Sequence, residues 1–209
     1  DGLEKAGTAL EAEAFAVDVA DAAAVAGAVE RAAAALGGLD GVVNAAGIDL
    51  LAPFDQMTTD AWRRVMAVNL DGPMHVCQAA VPHLRRAGGG TVVAIASGAG
   101  LRPLPDRTAY CAAKAGLVMF AKALAVDLAA DEIRVNAICP GIIDTPLFRQ
   151  SFEDAADPEA ELAMIKARYA LGRVGTADDI ARAALYLSSA ESAYVTGTAL
   201  AVDGGRTFH

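Results

Sequence analysis

Tyr110 and Lys114 stand four residues apart near the start of a long apolar stretch. Ser97 stands thirteen residues before Tyr110, just after the run Thr-Val-Val-Ala-Ile-Ala. Positions i and i+4 share one face of an α-helix, so the phenol and the ammonium are expected side by side. An adjacent ammonium favours the phenolate and would draw the tyrosine below its usual pKa of ~10. A serine hydroxyl at the end of a strand could hold a substrate oxygen for that phenol to protonate or deprotonate. The three residue types therefore suit proton transfer at a hydroxyl or carbonyl group. A Tyr-x-x-x-Lys pair also arises by chance on helices, so the elements that would position it must decide.

Short apolar runs alternate with longer helical patterns along the chain. Strands are expected at Ala14–Val19, Gly41–Asn44, Thr91–Ala96, Arg134–Cys139 and Ala199–Val202. Their nearly continuous apolar character suits a parallel sheet covered on both faces. Helices are expected at Ala22–Leu36, Thr59–Arg86, Arg107–Ala130, Pro158–Ala170 and Ala177–Ser188. Strict alternation of this kind predicts βαβ units and one doubly wound, Rossmann-like α/β domain. In such sheets the site lies beyond the carboxyl ends of the strands. Ser97 and the turns Asn44-Ala45-Ala46-Gly47 and Pro140-Gly141 all fall there.

In the longest predicted helix, Trp62, Val65, Met66, Asn69, Pro73, Cys77, Ala80 and Leu84 recur at helical spacing and define a buried stripe. Asn69 is its polar member, and a buried Asn without partners costs about 1–3 kcal/mol. Pro73 removes the N–H that would bond the Asn69 carbonyl, which could then hold a water. A kinked helix with a satisfied core Asn is the plainer alternative.

Composition narrows the function classes. The chain has 209 residues, 55% of them hydrophobic and 21% charged, as expected of a globular domain. A net charge of −9 argues against nucleic-acid binding. The sequence carries no charged-then-apolar leader and no uninterrupted 18-residue apolar run, so neither a signal peptide nor a membrane span is expected. Cys77, Cys111 and Cys139 lack C-x-x-C spacing and read as small buried residues of a reduced, cytoplasmic compartment. His75, His83 and His209 form no metal-ligand pattern, and no metal site is expected.

Taken together, Val17-Asp18-Val19, Asn44-Ala45-Ala46-Gly47, Val68-Asn69-Leu70, Ser97, Tyr110-x-x-x-Lys114, Asn136 to Thr145 and Asp203-Gly204-Gly205 resemble, in order and spacing, the classical short-chain dehydrogenase/reductase family. A looser likeness, through Gly172-Arg173-x-Gly175, is to its 3-oxoacyl-carrier-protein reductase and sugar or polyol dehydrogenase branches. The resemblance implies an NAD- or NADP-dependent enzyme interconverting a small alcohol and a carbonyl. It implies Tyr110 as acid/base and Lys114 as its partner, which also holds the nicotinamide ribose. Ser97 would orient the substrate oxygen, and Asn69 would support a relay water. Asp18 and Val19 would meet the adenine, Asn44, Ala45, Ala46 and Gly47 would line the adenosine ribose, and Pro140 and Gly141 would turn the chain toward Ile143 and Thr145 at the carboxamide. Plainer roles stay open: Asp18 as a helix cap, Asn44–Gly47 as a strand-end turn, Pro140-Gly141 as punctuation. Substrate choice would fall to Asp49–Ala52, Gly98–Pro105 and Pro146–Tyr169. The two longest helices resemble those that pair between subunits in this family, implying a homodimer or homotetramer.

The family pattern normally begins with a strand, a Gly-rich turn, a helix and a second strand, none of which is visible here. Residues 1–209 thus read as one domain missing its first two strands, and a non-catalytic remnant or interaction protein is the rival reading. The family's sheet order, 3-2-1-4-5-6-7, would set those strands between Ala14–Val19 and Gly41–Asn44. Either a gap is expected beside Gly41–Asn44, or Ala14–Val19 shifts to cover it. Weak NAD(P) binding by the 209-residue polypeptide is the accompanying expectation.

Overall fold

A computed structural model describes residues 12–149 and 157–208. Four parallel strands, β1 (Gly41–Asn44), β2 (Gly90–Ile95), β3 (Ile133–Pro140) and β4 (Ala199–Val202), lie side by side in chain order. The register pairs Val92 with Val135 and Ile95 with Ile138. Around the sheet run α1 (Ala22–Leu36), α2 (Thr59–Met66), α3 (Gly72–Ala87), α4 (Thr108–Asp127), the short α5 (Pro146–Arg149), α6 (Pro158–Lys166) and α7 (Ala177–Ser188).

The alternation of side chains along each strand splits the core in two. Val92, Ala94, Val135 and Ala137 face one way and pack with Leu84 of α3 and Leu117 and Ala121 of α4. Val93 and Ile138 face the other way, onto Leu187 of α7. Both faces are covered, which explains why the strands read as unbroken apolar runs. Burying a side chain such as Leu117 fully contributes about 1.5–3 kcal/mol, and it is 1% exposed. Because α7 covers the face opposite α3 and α4, the β3-to-β4 connection has the opposite hand to the two before it, a rare arrangement. Arg134 and Asn136, on the α7 face of β3, hold that connection. The Arg134 guanidinium donates to Leu187 O, Ser189 O and Val195 O, and Asn136 Nδ2 donates to Val195 O.

Helix ends follow local chemistry. Asp21, rather than Asp18, caps α1 by accepting from the Ala23 and Ala24 N–H groups, and Thr176 with Asp179 forms a capping box on α7. The long α4 is apolar enough to cross a membrane, with a mean hydropathy of 1.5. Its Ala109, Ala113, Leu117, Ala121 and Ala125 are nevertheless buried in the protein.

Four expectations are corrected. The Ala14–Val19 stretch is not a strand: strand propensity is realised only against a neighbour, and this segment runs extended with no ladder. It does not cover the outer edge of β1, where Val43 is half exposed. Instead the Val19 carbonyl accepts from His75 Nδ1 on α3 at 3.0 Å, which fixes the proton on that ring nitrogen. Thr59–Arg86 is not one helix. A wide π-turn at Ala67–Asp71 separates α2 from α3, with the Gly72 N–H reaching back to Ala67 O. The other two corrections concern ends: α6 stops at Lys166, and α4 starts at Thr108 and gives way to a 3₁₀ turn at Ala129–Asp131.

Candidate active site

Ser97 follows β2, and its side chain accepts from the Ala99 N–H at 3.0 Å, capping the 3₁₀ turn Gly98–Gly100. That turn lies hard against α4. A Cβ on Gly100 would sit 2.8 Å from the Lys114 backbone carbon and oxygen, so only glycine permits the approach. The contact brings the Ser97 hydroxyl within hydrogen-bonding reach of the Tyr110 hydroxyl. One turn further along α4, Lys114 is 4% exposed; its Nζ donates to Ile95 O at 2.9 Å and lies 5.7 Å from the centre of the Tyr110 ring. The structure thus brings Ser97, Tyr110 and Lys114 together at the carboxyl end of β2.

The electrostatics differ from the sequence expectation. Burial pushes the Tyr110 phenol up, the Ser97 hydrogen bond works against that rise, Asp49 adds to it and Arg107 opposes it. Lys114 does not appear among these influences. Burial pulls the Lys114 ammonium itself down, to about 8. In a site this dry, desolvation outweighs the attraction that the i,i+4 spacing suggested.

Asn69, fully buried in the π-turn, spends its side chain on backbone. Its Oδ1 accepts from Ile48 N at 3.2 Å, and Nδ2 donates to Ile48 O at 2.9 Å and Val65 O at 3.0 Å. The satisfied core Asn is therefore the arrangement seen, and it clamps the loop after β1. In that loop a Cβ on Gly47 would lie 2.9 Å from Asn69 Oδ1 and 3.4 Å from Lys114 Nζ. Ala45, Ala46 and Gly47 are exposed, whereas Asn44 is buried and its Nδ2 donates to Cys77 Sγ at 3.5 Å.

The remaining predicted residues spread along the same end of the sheet. Asp18 is exposed, pairs with Arg64 at 3.1 Å and accepts from the Ala20 N–H. Val19 packs on Gly72, where a Cβ would come within 2.8 Å of its methyl group. Pro140 closes β3. Gly141 follows it, with no room for a Cβ beside Asp203 and Tyr169. Ile143 bridges to Gly175, and the Thr145 hydroxyl donates to Ile143 O and accepts from Phe148 N. Of the segment Pro146–Tyr169, residues 150–156 lie outside the described residues.

Two neighbours of the site escaped the sequence reading. Arg107 Nε donates to Asp49 Oδ2 at 2.7 Å across 58 residues of chain. The Cys139 thiol of β3 accepts from the Ser97 backbone, and burial holds it up at about 11, too high for a reactive thiolate. Proximity of Arg107 to Tyr110 in sequence was the one available signal.

Comparison with known proteins agrees with this geometry. The family model described as Enoyl-(Acyl carrier protein) reductase matches residues 1–207. The chain is 42% identical over 207 residues to the Inactive 2-(S)-hydroxypropyl-CoM dehydrogenase 2 of Xanthobacter autotrophicus, covering 98% of this chain and 90% of that protein. It is 40% identical to the 3beta-hydroxysteroid dehydrogenase 1 of Eggerthella lenta, covering 99% and 77%. The gluconate 5-dehydrogenase of Burkholderia cenocepacia, solved in complex with NADP and tartrate, superposes with a TM-score of 0.86 at 36% identity, covering 92% of this chain and 74% of that one. The protein belongs to the classical short-chain dehydrogenase/reductase family, whose NAD- or NADP-dependent members interconvert alcohols and carbonyls.

Proposed function

We propose that Tyr110 exchanges the proton with the substrate oxygen in the alcohol–carbonyl reaction of this protein. The observation that carries the reading is the Ser97–Tyr110 hydrogen bond at a buried strand end with the Lys114 ammonium one helical turn away. A phenol kept protonated by burial is suited to donate to a carbonyl oxygen as it gains charge, and to take the proton back in the reverse direction. Ser97 offers a second hydroxyl at the same point, to orient that oxygen.

The residues fit a dinucleotide. Lys114 has three N–H donors, of which Ile95 O takes one. The exposed Ala45–Gly47 backbone passes beside that ammonium, so Lys114 would hold ribose hydroxyls. Asn44 to Gly47 would line the adenosine ribose, Asp18 and Val19 the adenine, and Pro140, Gly141, Ile143 and Thr145 the carboxamide side. When bound, the nicotinamide supplies the hydride or accepts it. Asn69 acts by holding the Ile48 backbone, which keeps Gly47 against Lys114.

Substrates are small alcohols or carbonyls, entering past Asp49–Ala52, Gly98–Pro105 and the Pro146–Tyr169 segment. The exposed Met119 and Val126 on α4 support a homodimer or homotetramer, to be checked by sedimentation, and the scattered reduced cysteines support a cytoplasmic location. The test of the main reading is Tyr110→Phe assayed with NAD and NADP against a panel of secondary alcohols and ketones. Wild-type turnover by the folded variant would remove Tyr110 from the chemistry.

A further inference from the structure

Three residues before Tyr110, Arg107 forms an ion pair with Asp49, and the two side chains are only 17% and 23% exposed. The pair joins two separate pieces of the site: the loop after β1 and the first residue before α4. A backbone bond lies beside it, with Ala52 N donating to Asp106 O at 2.8 Å. Asp106 reaches that position in a left-handed conformation, φ 55°, which Asp adopts more readily than most residues but still at a cost. Asp49 Oδ1 also accepts from the Leu50 N–H at 2.8 Å. Loop and helix start are thus locked by one ion pair and one backbone bond, and Tyr110 leaves the locked end one turn later.

We infer that Asp49 and Arg107 are positioning residues for the proposed proton transfer: a charge-balanced clasp that fixes Tyr110 and balances the field at its hydroxyl. The inference rests on the reading of Tyr110 above. Neither charge is spent on the protein surface, and each acts on the reacting groups with its own sign. Asp49 favours the protonated forms of both Tyr110 and Lys114, while Arg107 favours ionised Tyr110. The other groups facing this pair of residues are few. Ser97 comes from the end of β2, Cys111 from α4 itself, and Cys139 from β3. Removing one partner alone would leave an unbalanced charge beside the phenol.

This separates a clasp that balances charge from one that only packs. Asp49→Asn should lower the midpoint of Lys114 by about 0.5 pH unit or more, because a nearby carboxylate is lost. Mere loosening would admit water and raise that midpoint from about 8 toward the ordinary 10.5. Arg107→Gln should raise the midpoint of Tyr110, because Asp49 then acts unopposed, whereas loosening would lower it. Both can be read by NMR of the full chain, using labelled lysine and tyrosine assigned with Lys114→Met and Tyr110→Phe. Arg107→Lys should restore the wild-type tyrosine midpoint. The Lys114 reading falls at mild pH, so it decides the matter even if alkaline unfolding hides the tyrosine; if Asp49→Asn does not fold, Asp49→Ser carries the same sign. Midpoints that move in the loosening direction, or do not move, overturn the clasp. The titrations need no turnover, so they stand apart from the Tyr110→Phe assay that tests the function itself.

Discussion

The two flanks of the site are held by different means. On the Ser97–Tyr110–Lys114 flank, positions are set by the core: α4 packs on β2 and β3, and Gly100 lets the Ser97 turn touch the Lys114 backbone. On the Asp18–Val19 flank, an extended segment is tethered by an exposed ion pair to Arg64 and one imidazole bond from His75. The same end of the same sheet therefore carries a rigid half and a lightly anchored half. Acid–base geometry tolerates little displacement, and it is the half built into the core.

That contrast can be broken most sharply at Tyr110. Replacing it with Phe in a folded, cofactor-binding protein should lower kcat by about 10²-fold or more, the scale for losing a general acid–base. Steady-state kinetics at saturating cofactor checks it, with circular dichroism as the control for folding.

Lys114→Met should abolish most activity yet make the protein more stable at neutral pH, because it removes a buried charge. The sign follows from linkage. The folded value is about 8 against 10.5 in the open chain, so between those values the unfolded chain binds more protons. Wild-type stability should therefore rise with pH from about 8 to about 10.5, as measured by urea midpoints. The Met variant should lose that rise, and an unchanged slope would show that Lys114 is hydrated.

Asn69→Ala should destabilise the fold by about 1–3 kcal/mol, since the Ile48 N–H loses its acceptor and two carbonyls lose a donor. Denaturant melts give the number, and KM for the cofactor should rise with it. At the bottom of the scale, Asp18→Asn should leave the urea midpoint where it is, because that pair is half exposed and solvent-screened. Any measurable loss there would mean the lightly anchored flank is stiffer than its contacts imply.

Much of the fold was legible in the sequence where local signals sufficed. The bounds of α1, α7, β1 and β4 follow from caps, turn residues and apolar runs that act over a few residues. Ala14–Val19 was misread because its apolar character is equally compatible with lying on a helix, and strand formation depends on a partner that sequence order does not show. Ser97, Tyr110 and Lys114 were legible because two of them share a helix and the third ends the preceding strand. The direction of the Tyr110 shift was not, since it depends on how much water the packed site excludes. The Asp49–Arg107 pair was also hidden, because nothing in either segment names its partner 58 residues away.

The π-turn at Ala67–Asp71 has a consequence for how this chain can change. Val65, Asn69, Pro73 and Cys77 are all buried at four-residue steps. In an α-helix of 3.6 residues per turn each such step advances about 40° too far, so the row would spiral off the core. One wide turn absorbs the drift and keeps the two helices in phase. The turn therefore behaves as a one-residue insertion that has become indispensable. Deleting a residue between 67 and 71 would shrink it to an ordinary turn and rotate α3 by about 100° against α2. Length at this point is a conserved quantity of the architecture, even where individual side chains could be exchanged.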